Sequence, residues 1–217
     1  MTAPGTDTLI WYASYGSNVN RARFLCYLQG GTPDGTTVAQ RGARDNSPPR
    51  GDAACVFGSA IRFAGHSARW DGAPAFLEHR PATAGALGRR YLITKEQFVD
   101  VVAQENRADG VVSIPFDDVQ PDTHTVIDTH FYDAIVGLHP VDGIPVATFT
   151  SSKPPEHRPA APPSSAYLGT IARGLAQVHE LDDKTLAHHL HRADGVAPAW
   201  SVAEIQRLLN NETTGPL

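Results

Sequence analysis

The sequence holds no stretch approaching the roughly 20 consecutive apolar residues that would cross a bilayer as a helix. It has no stripe of lysine and arginine either, and its net charge is −5. Such a balance repels a phosphate backbone, so neither a nucleic-acid partner nor a membrane is expected. Met1 to Thr8 carries no basic segment and no long apolar run, which argues against a secretory signal and makes the cytoplasm the expected location. Cysteine is scarce. Cys26 and Cys55 are the two present, each in an apolar run, and two buried thiols are expected before a disulfide in a reducing compartment. Ser14, Ser17 and Ser59 could nominally join a histidine and an aspartate in a triad, but there is no Gly-x-Ser-x-Gly elbow. His188, His189 and His191 stand near Asp194 without a matching cysteine or carboxylate set. On a helix His188 and His191 share a face while His189 points elsewhere, so the cluster reads as a solvated helix face and no metal is expected. No internal repeat is visible.

What is present is enough to build a core. Hydrophobic residues make up 41% and charged residues 19% of 217 positions, which fits a single domain over residues 1–217. Thr8 to Ser14 is rich in β-branched and aromatic side chains and runs into Tyr15-Gly16-Ser17-Asn18, a strand followed by a tight loop. Asn20 to Leu28 has helical spacing, with Asn18 or Asn20 as cap and Gly30-Gly31 as its end. Backbone N–H groups at such a strand-to-helix loop favour anions. Residues 32–52 lack apolar periodicity and read as a mobile loop that could serve as a lid. Strands are expected at 54–64 and 73–78, turned at Trp70-Asp71-Gly72, and at 88–94.

Lys95 to Asn106 then reads as a helix, with Thr94 as N-cap and Gln97 completing a capping box. Phe98, Val101 and Val102 form its buried face, and Glu105 falls at the edge of that face. Glu78 is a rival carboxylate, read as an edge-strand charge. Further strands are expected at 111–114, 123–138 and 144–150. Lys153 to Pro163 holds five prolines and must be extended. Helices follow at about 165–180, 183–192 and 201–211, with Ser165, Asp182 and Ser201 as caps. Strands in mixed order with helices around them give an α+β fold.

The order of several segments is more specific than any one alone. Tyr12-Ala13-Ser14-Tyr15-Gly16-Ser17-Asn18 ends the first strand and Arg23 follows in the helix. Trp70-Asp71-Gly72-Ala73-Pro74-Ala75, then Gly88 through Gln97 leading to Glu105, and Pro163-Ser164-Ser165-Ala166-Tyr167-Leu168 with Ile171 and Gly174 complete the set. From about Leu9 to Glu180 this series resembles the gamma-glutamylcyclotransferase-like superfamily. The resemblance implies a small mixed β-barrel-like sheet with peripheral helices, in which the Tyr15 loop and a catalytic Glu line one cavity. It implies an enzyme acting on a small γ-glutamyl compound: the substrate's α-amino group attacks its own γ-carbonyl, releasing 5-oxoproline and an amine or amino acid. Glu105 would carry the protons. Tyr15, Gly16, Ser17 and Asn18 would bind the substrate carboxylate or oxyanion, and Tyr167 would lie against the glutamyl group. No cofactor is implied.

The chemistry is consistent with that division of labour. An amine nucleophile is protonated at neutral pH and an amine leaving group must be protonated, so one carboxylate can serve as base and then as acid. Apolar neighbours such as Val101 and Val102 would strengthen it as a base by desolvation. Ring closure within one molecule needs a fixed conformer rather than a second reactant. The sequence departs from the family where Glu105 is followed by Asn106-Arg107-Ala108-Asp109-Gly110, without the Gly and Tyr usual there. Two alternatives stay open: a catalytically inactive binding or partner module of the same fold, and a tailoring enzyme that removes a γ-glutamyl protecting group from a pathway intermediate. Oligomeric state is also open.

Overall fold

Strand β1 (Leu9–Ser14) is buried along nearly its whole length, which requires neighbours on both sides and on both faces. It pairs antiparallel with β5 (Leu87–Thr94), from Leu9 opposite Thr94 to Ser14 opposite Arg89, and parallel with β8 (Ile144–Thr150), where Trp11 faces Val146. With β2 (Gly51–Val56), β6 (His124–Val126) and β7 (Ala134–Val141), these make a six-stranded mixed sheet ordered β2-β5-β1-β8-β7-β6. The computed structural model describes residues 8–34 and 36–210, and they fall into two compact units. The first comprises residues 8–14, Ala22–Cys55 and Arg89–Pro154; the second comprises Tyr15–Arg21, Val56–Gly88 and residues 155–210.

In the first unit, helix α1 (Arg21–Gln29) ends at Gly30 and Gly31, both at positive φ. Helix α2 (Lys95–Glu105) follows β5 without a linker, because Thr94 is at once the last strand residue and the N-cap. Tyr12, Phe24, Tyr91, Phe98 and Phe149 cluster in its core, with Phe24 stacked on Tyr91 at 4.0 Å. Residues 36–50 are tied to this core at several points. Ala43 N–H donates to Leu28 O, Arg44 meets the buried Asp100, and Gln97 Nε2 donates to Asp45 O and Ser47 O.

In the second unit, β3 (Ser59–Phe63) pairs antiparallel with β4 (Ala75–Pro81). The expected turn lies between them: Ser67 N–H donates to Gly72 O, and Asp71 takes positive φ. Helices α3 (Ser165–Ala176), α4 (Asp183–His191) and α5 (Val202–Asn210) complete the unit. No helix among the described residues is long and apolar enough to cross a membrane.

The α+β expectation holds, with a mixed sheet and peripheral helices. The sheet does not close into a barrel: its order runs from β2 to β6 as an open series. Strand expectations differ in three places. Residues 54–64 break at Phe57-Gly58, 111–114 form no strand, and 123–138 divide into β6 and β7 around a loop at 127–133. The last break has a plain cause. Ile127 N–H donates to Asp133 O, while the Asp133 carboxylate accepts from Ser152 N–H and Oγ–H, both at 2.6 Å. The cap of α3 is Ser164, one residue before the expected Ser165, and the end expected at Asn211 lies outside the described residues.

Candidate active site

The loop after β1 opens with Tyr15 and an extended Gly16, then makes one 3-10 turn over Ser17–Val19. Val19 N–H closes it onto Gly16 O at 3.0 Å, and no side chain caps the turn. Tyr15, Ser17 and Asn18 are buried. The Tyr15 ring meets Phe57 edge-on at 5.7 Å, which fixes the start of the loop.

Tyr167 explains why position 16 is glycine. A Cβ added at Gly16 would stand 3.1 Å from the Tyr167 hydroxyl, tighter than an ordinary contact. That hydroxyl is itself held, accepting from Ala75 N–H at 3.2 Å. The Tyr167 ring lies against Trp70 at 4.8 Å and Phe63 at 6.1 Å. Ser164 Oγ accepts from Tyr167 N–H at 3.3 Å, so the N-cap of α3 also orients the tyrosine. The Trp70 turn is drawn in as well: Gly72 packs directly on Ser164 N, and Ala73 N–H donates to Pro162 O at 3.0 Å. Farther along α3, Gly174 packs on Asn20 N. The segments named for the Tyr15 loop, the tryptophan turn and the Pro163–Leu168 stretch therefore meet in one place.

Glu105 belongs to the other unit, as the last residue of α2. The expected capping box is present: Gln97 N–H donates to Thr94 Oγ1 at 3.1 Å and Thr94 N–H to Gln97 Oε1 at 2.9 Å. Val101 and Val102 are fully buried, while Glu105 at the edge of their face is half-buried. The backbone on either side of Glu105 is fastened. Before it, the buried Gln104 donates through Nε2 to Tyr27 O at 2.9 Å. After it, Asn106 Nδ2 donates to Val102 O and to Tyr132 O, and its Oδ1 accepts from Phe131 N–H at 3.1 Å and Tyr132 N–H at 2.8 Å. Arg107, at positive φ, then turns the chain away.

Other groups singled out in the sequence have structural partners. Glu78 is buried rather than an exposed edge charge, and Arg62 Nε donates to it at 2.8 Å while Nη2 of the same arginine reaches Asp194 at 2.7 Å. His189 faces inward, in contrast to the expected solvated cluster: its Nε2 accepts from Leu87 N–H at 3.1 Å. Burial, with Arg192 and His179 nearby, lowers its pKa to about 4, so it stays neutral. Cys26 and Cys55 are free and half-buried, and desolvation pushes the Cys55 thiol up to about 12, which leaves it unreactive as a nucleophile. Among the described residues no three His, Cys, Asp or Glu side chains gather as a metal-holding group.

Sequence reasoning marked Asn106 only as a departure from a pattern. The signal available was an amide residue directly after the last helical position; its reach to residues 131 and 132 carries no local trace.

No family model matches the chain. Histone deacetylase 5 of Arabidopsis thaliana is 29% identical over 202 residues, covering 85% of this chain and 30% of that protein, so the chain spans about 30% of that relative's length. Among solved structures, a gamma-glutamyl cyclotransferase is similar with a TM-score of 0.49 and 16% identity, over 93% of this chain and 98% of that one. An uncharacterized human protein gives 0.49 and 16% over 94% and 99%. A yeast gamma-glutamyl cyclotransferase specific to glutathione gives 0.34 and 12% over 94% and 96%.

Proposed function

We propose that this chain is a γ-glutamyl cyclotransferase that needs no cofactor. The observation that carries this is the meeting of Gly16 with Tyr167: the two most specific segments of the sequence resemblance are packed so closely that the glycine admits no side chain without a shift. A chance pair of short motifs would have no reason to be sterically matched.

In the proposed reaction the substrate ammonium gives a proton to Glu105, and the freed amine attacks the γ-carbonyl carbon. The new C–N bond closes a five-membered ring and the carbonyl oxygen becomes an oxyanion. Glu105 returns that proton to the leaving nitrogen as its bond to the carbon breaks, and the second proton shed by the ring nitrogen passes to the departing amine, yielding 5-oxoproline and an ammonium. Backbone N–H groups of Gly16, Ser17 and Asn18 are assigned to the substrate carboxylate or the oxyanion, each such donor being worth about 3–4 kcal/mol in the transition state. The buried aromatic packing of Tyr15 and Tyr167 suits this role, because preorganised donors need not reorient during reaction. Tyr167 is assigned to the glutamyl side of the substrate.

The test is release of 5-oxoproline by chelator-treated protein from γ-glutamyl amino acids, γ-glutamyl amines and glutathione. Wild type should turn over at least one of them. Glu105→Gln should lose roughly 100- to 10,000-fold in kcat, the range for removal of a general acid/base, with its Tm unchanged. Turnover by wild type that persists in Glu105→Gln would remove the glutamate from the chemistry. Absence of turnover across the panel would favour the binding module, and turnover confined to bulky γ-glutamyl conjugates would favour the tailoring role.

A further inference from the structure

Phe131 is an exposed aromatic side chain, 37% accessible, near the tip of the loop between β6 and β7. Single exposed apolar residues are ordinary; Val111 and Val126 are each 66% accessible and need no account. Phe131 differs in how firmly it is held. Asn106 Oδ1 accepts from its N–H at 3.1 Å and from Tyr132 N–H at 2.8 Å. Tyr132 O accepts from Asn106 Nδ2 at 3.1 Å and from Thr129 Oγ1 at 2.9 Å. The base of the loop is tied by Ile127 N–H to Asp133 O and by Ser152 to the Asp133 carboxylate. The Phe131 ring leans edge-on against Tyr132 at 4.6 Å, and Tyr132 is buried against Phe149 at 5.3 Å.

A loop tip with this many ties presents its aromatic ring at little entropic cost, since only two side-chain torsions remain to be fixed on contact. The position it presents is set by Asn106, the residue directly after Glu105. All four side-chain hydrogen bonds of Asn106 join the end of α2 to this loop or to its own last turn. Glu105 and Phe131 thus share one anchor.

We infer that Phe131 is the specificity-determining residue for the leaving amine, held beside Glu105 by Asn106 acting as a positioning residue. This rests on Glu105 as the acid that protonates the leaving nitrogen, as proposed above. Whatever is attached to that nitrogen must pass next to the glutamate, and Phe131 is an exposed apolar side chain whose backbone is tied to Asn106, the residue that follows Glu105. The favoured leaving groups are amines or amino acids with an aromatic or large apolar body.

The experiment compares kcat/KM for γ-glutamyl-phenylalanine and γ-glutamyl-alanine in wild type, Phe131→Ala, Phe131→Leu and Asn106→Ala, with Tm recorded for each. Wild type should prefer the phenylalanine compound, and Phe131→Ala should lower that preference roughly tenfold or more, the size of an apolar pocket contact, with the change in KM. Phe131→Leu should restore part of it. Asn106→Ala should lower kcat on both substrates, because Glu105 loses its fixed backbone. A folded Phe131→Ala that keeps the wild-type preference overturns the inference while leaving the cyclotransferase in place. A wild type that turns over neither these substrates nor the wider panel overturns both.

Discussion

In the unit built on the six-stranded sheet, the centre is filled by rings: Tyr12, Phe24, Tyr91, Phe98 and Phe149 lie within 4.0 to 6.5 Å of one another in successive pairs. In the unit that carries the Tyr15 loop and Tyr167, the closest approaches are made where a side chain is missing. Gly72 packs on Ser164 N, Gly85 on Phe57 O and Gly174 on Asn20 N. The sheet unit has such a contact at Gly137 against Gln120 O, so the contrast is one of degree. It still teaches where each unit is vulnerable. A core of interlocked rings is damaged by taking atoms away, since a cavity forms that its neighbours fill only in part. A junction of backbone on backbone is damaged by adding an atom, since main-chain atoms cannot swing aside as a side-chain tip can.

Phe98→Ala is the strongest test of the first half of that contrast. Phe98 is fully buried and touches the rings of Tyr12 at 5.7 Å and Phe149 at 6.2 Å, and its removal should cost about 3–5 kcal/mol in denaturant unfolding. Gly174→Ala is the matching test of the second half. It should cost about 3 kcal/mol, at the upper end for overpacking, because the added methyl meets Asn20 N and Val19 backbone. Gly58→Ala is its control: nothing lies within 4 Å of a Cβ there, and the change should stay within about 0.5 kcal/mol. If Gly174→Ala proves as mild as Gly58→Ala, the helix shifts to make room and the contrast between the units is lost.

The same contrast governs what the sequence discloses. The capping box of Thr94 and Gln97, the Trp70 turn and the span of β8 are decided by residues a few positions apart, and each is readable in order. Gly16 and the Pro163–Leu168 segment are visible as motifs, but the reason for the glycine is a tyrosine hydroxyl on another element. Glu78 looks like an edge charge because its partner Arg62 sits diagonally across the β3–β4 pair, a neighbour that only the register supplies. The break between β6 and β7 depends on Asp133 finding Ser152, and the fastening of Glu105 depends on Asn106 finding Phe131 and Tyr132. Packing between distant segments decides these, and periodicity within one segment carries no record of it.

A smaller effect than that of Phe98→Ala or Gly174→Ala sharpens the comparison by adding charge to the glycine-rich unit instead of volume. His189 lies in the last turn of α4, where a cation would gain about 0.3–1 kcal/mol from the helix dipole. Desolvation outweighs that gain, with Arg192 and His179 adding to it, and the pKa falls from 6.5 to about 4. His179 Nε2 is 2.9 Å from Gly88 O, a contact in which that nitrogen carries the proton and donates. The folded state therefore binds fewer protons at His189 than the unfolded chain does, and its contribution to stability is fully present above about pH 6.5. That contribution is lost as pH falls toward about 4, where protonation also breaks the Leu87 N–H to Nε2 bond. Allowing for screening of a half-buried group, the loss amounts to roughly 1–2 kcal/mol. Urea unfolding at pH 7, 5.5 and 4.5 should show this decline in wild type and a flatter one in His189→Gln, which keeps an acceptor but cannot take a proton. Equal slopes in the two proteins would mean that carboxylates elsewhere, such as the Asp133 group held low by Ser152, set the acid limit instead.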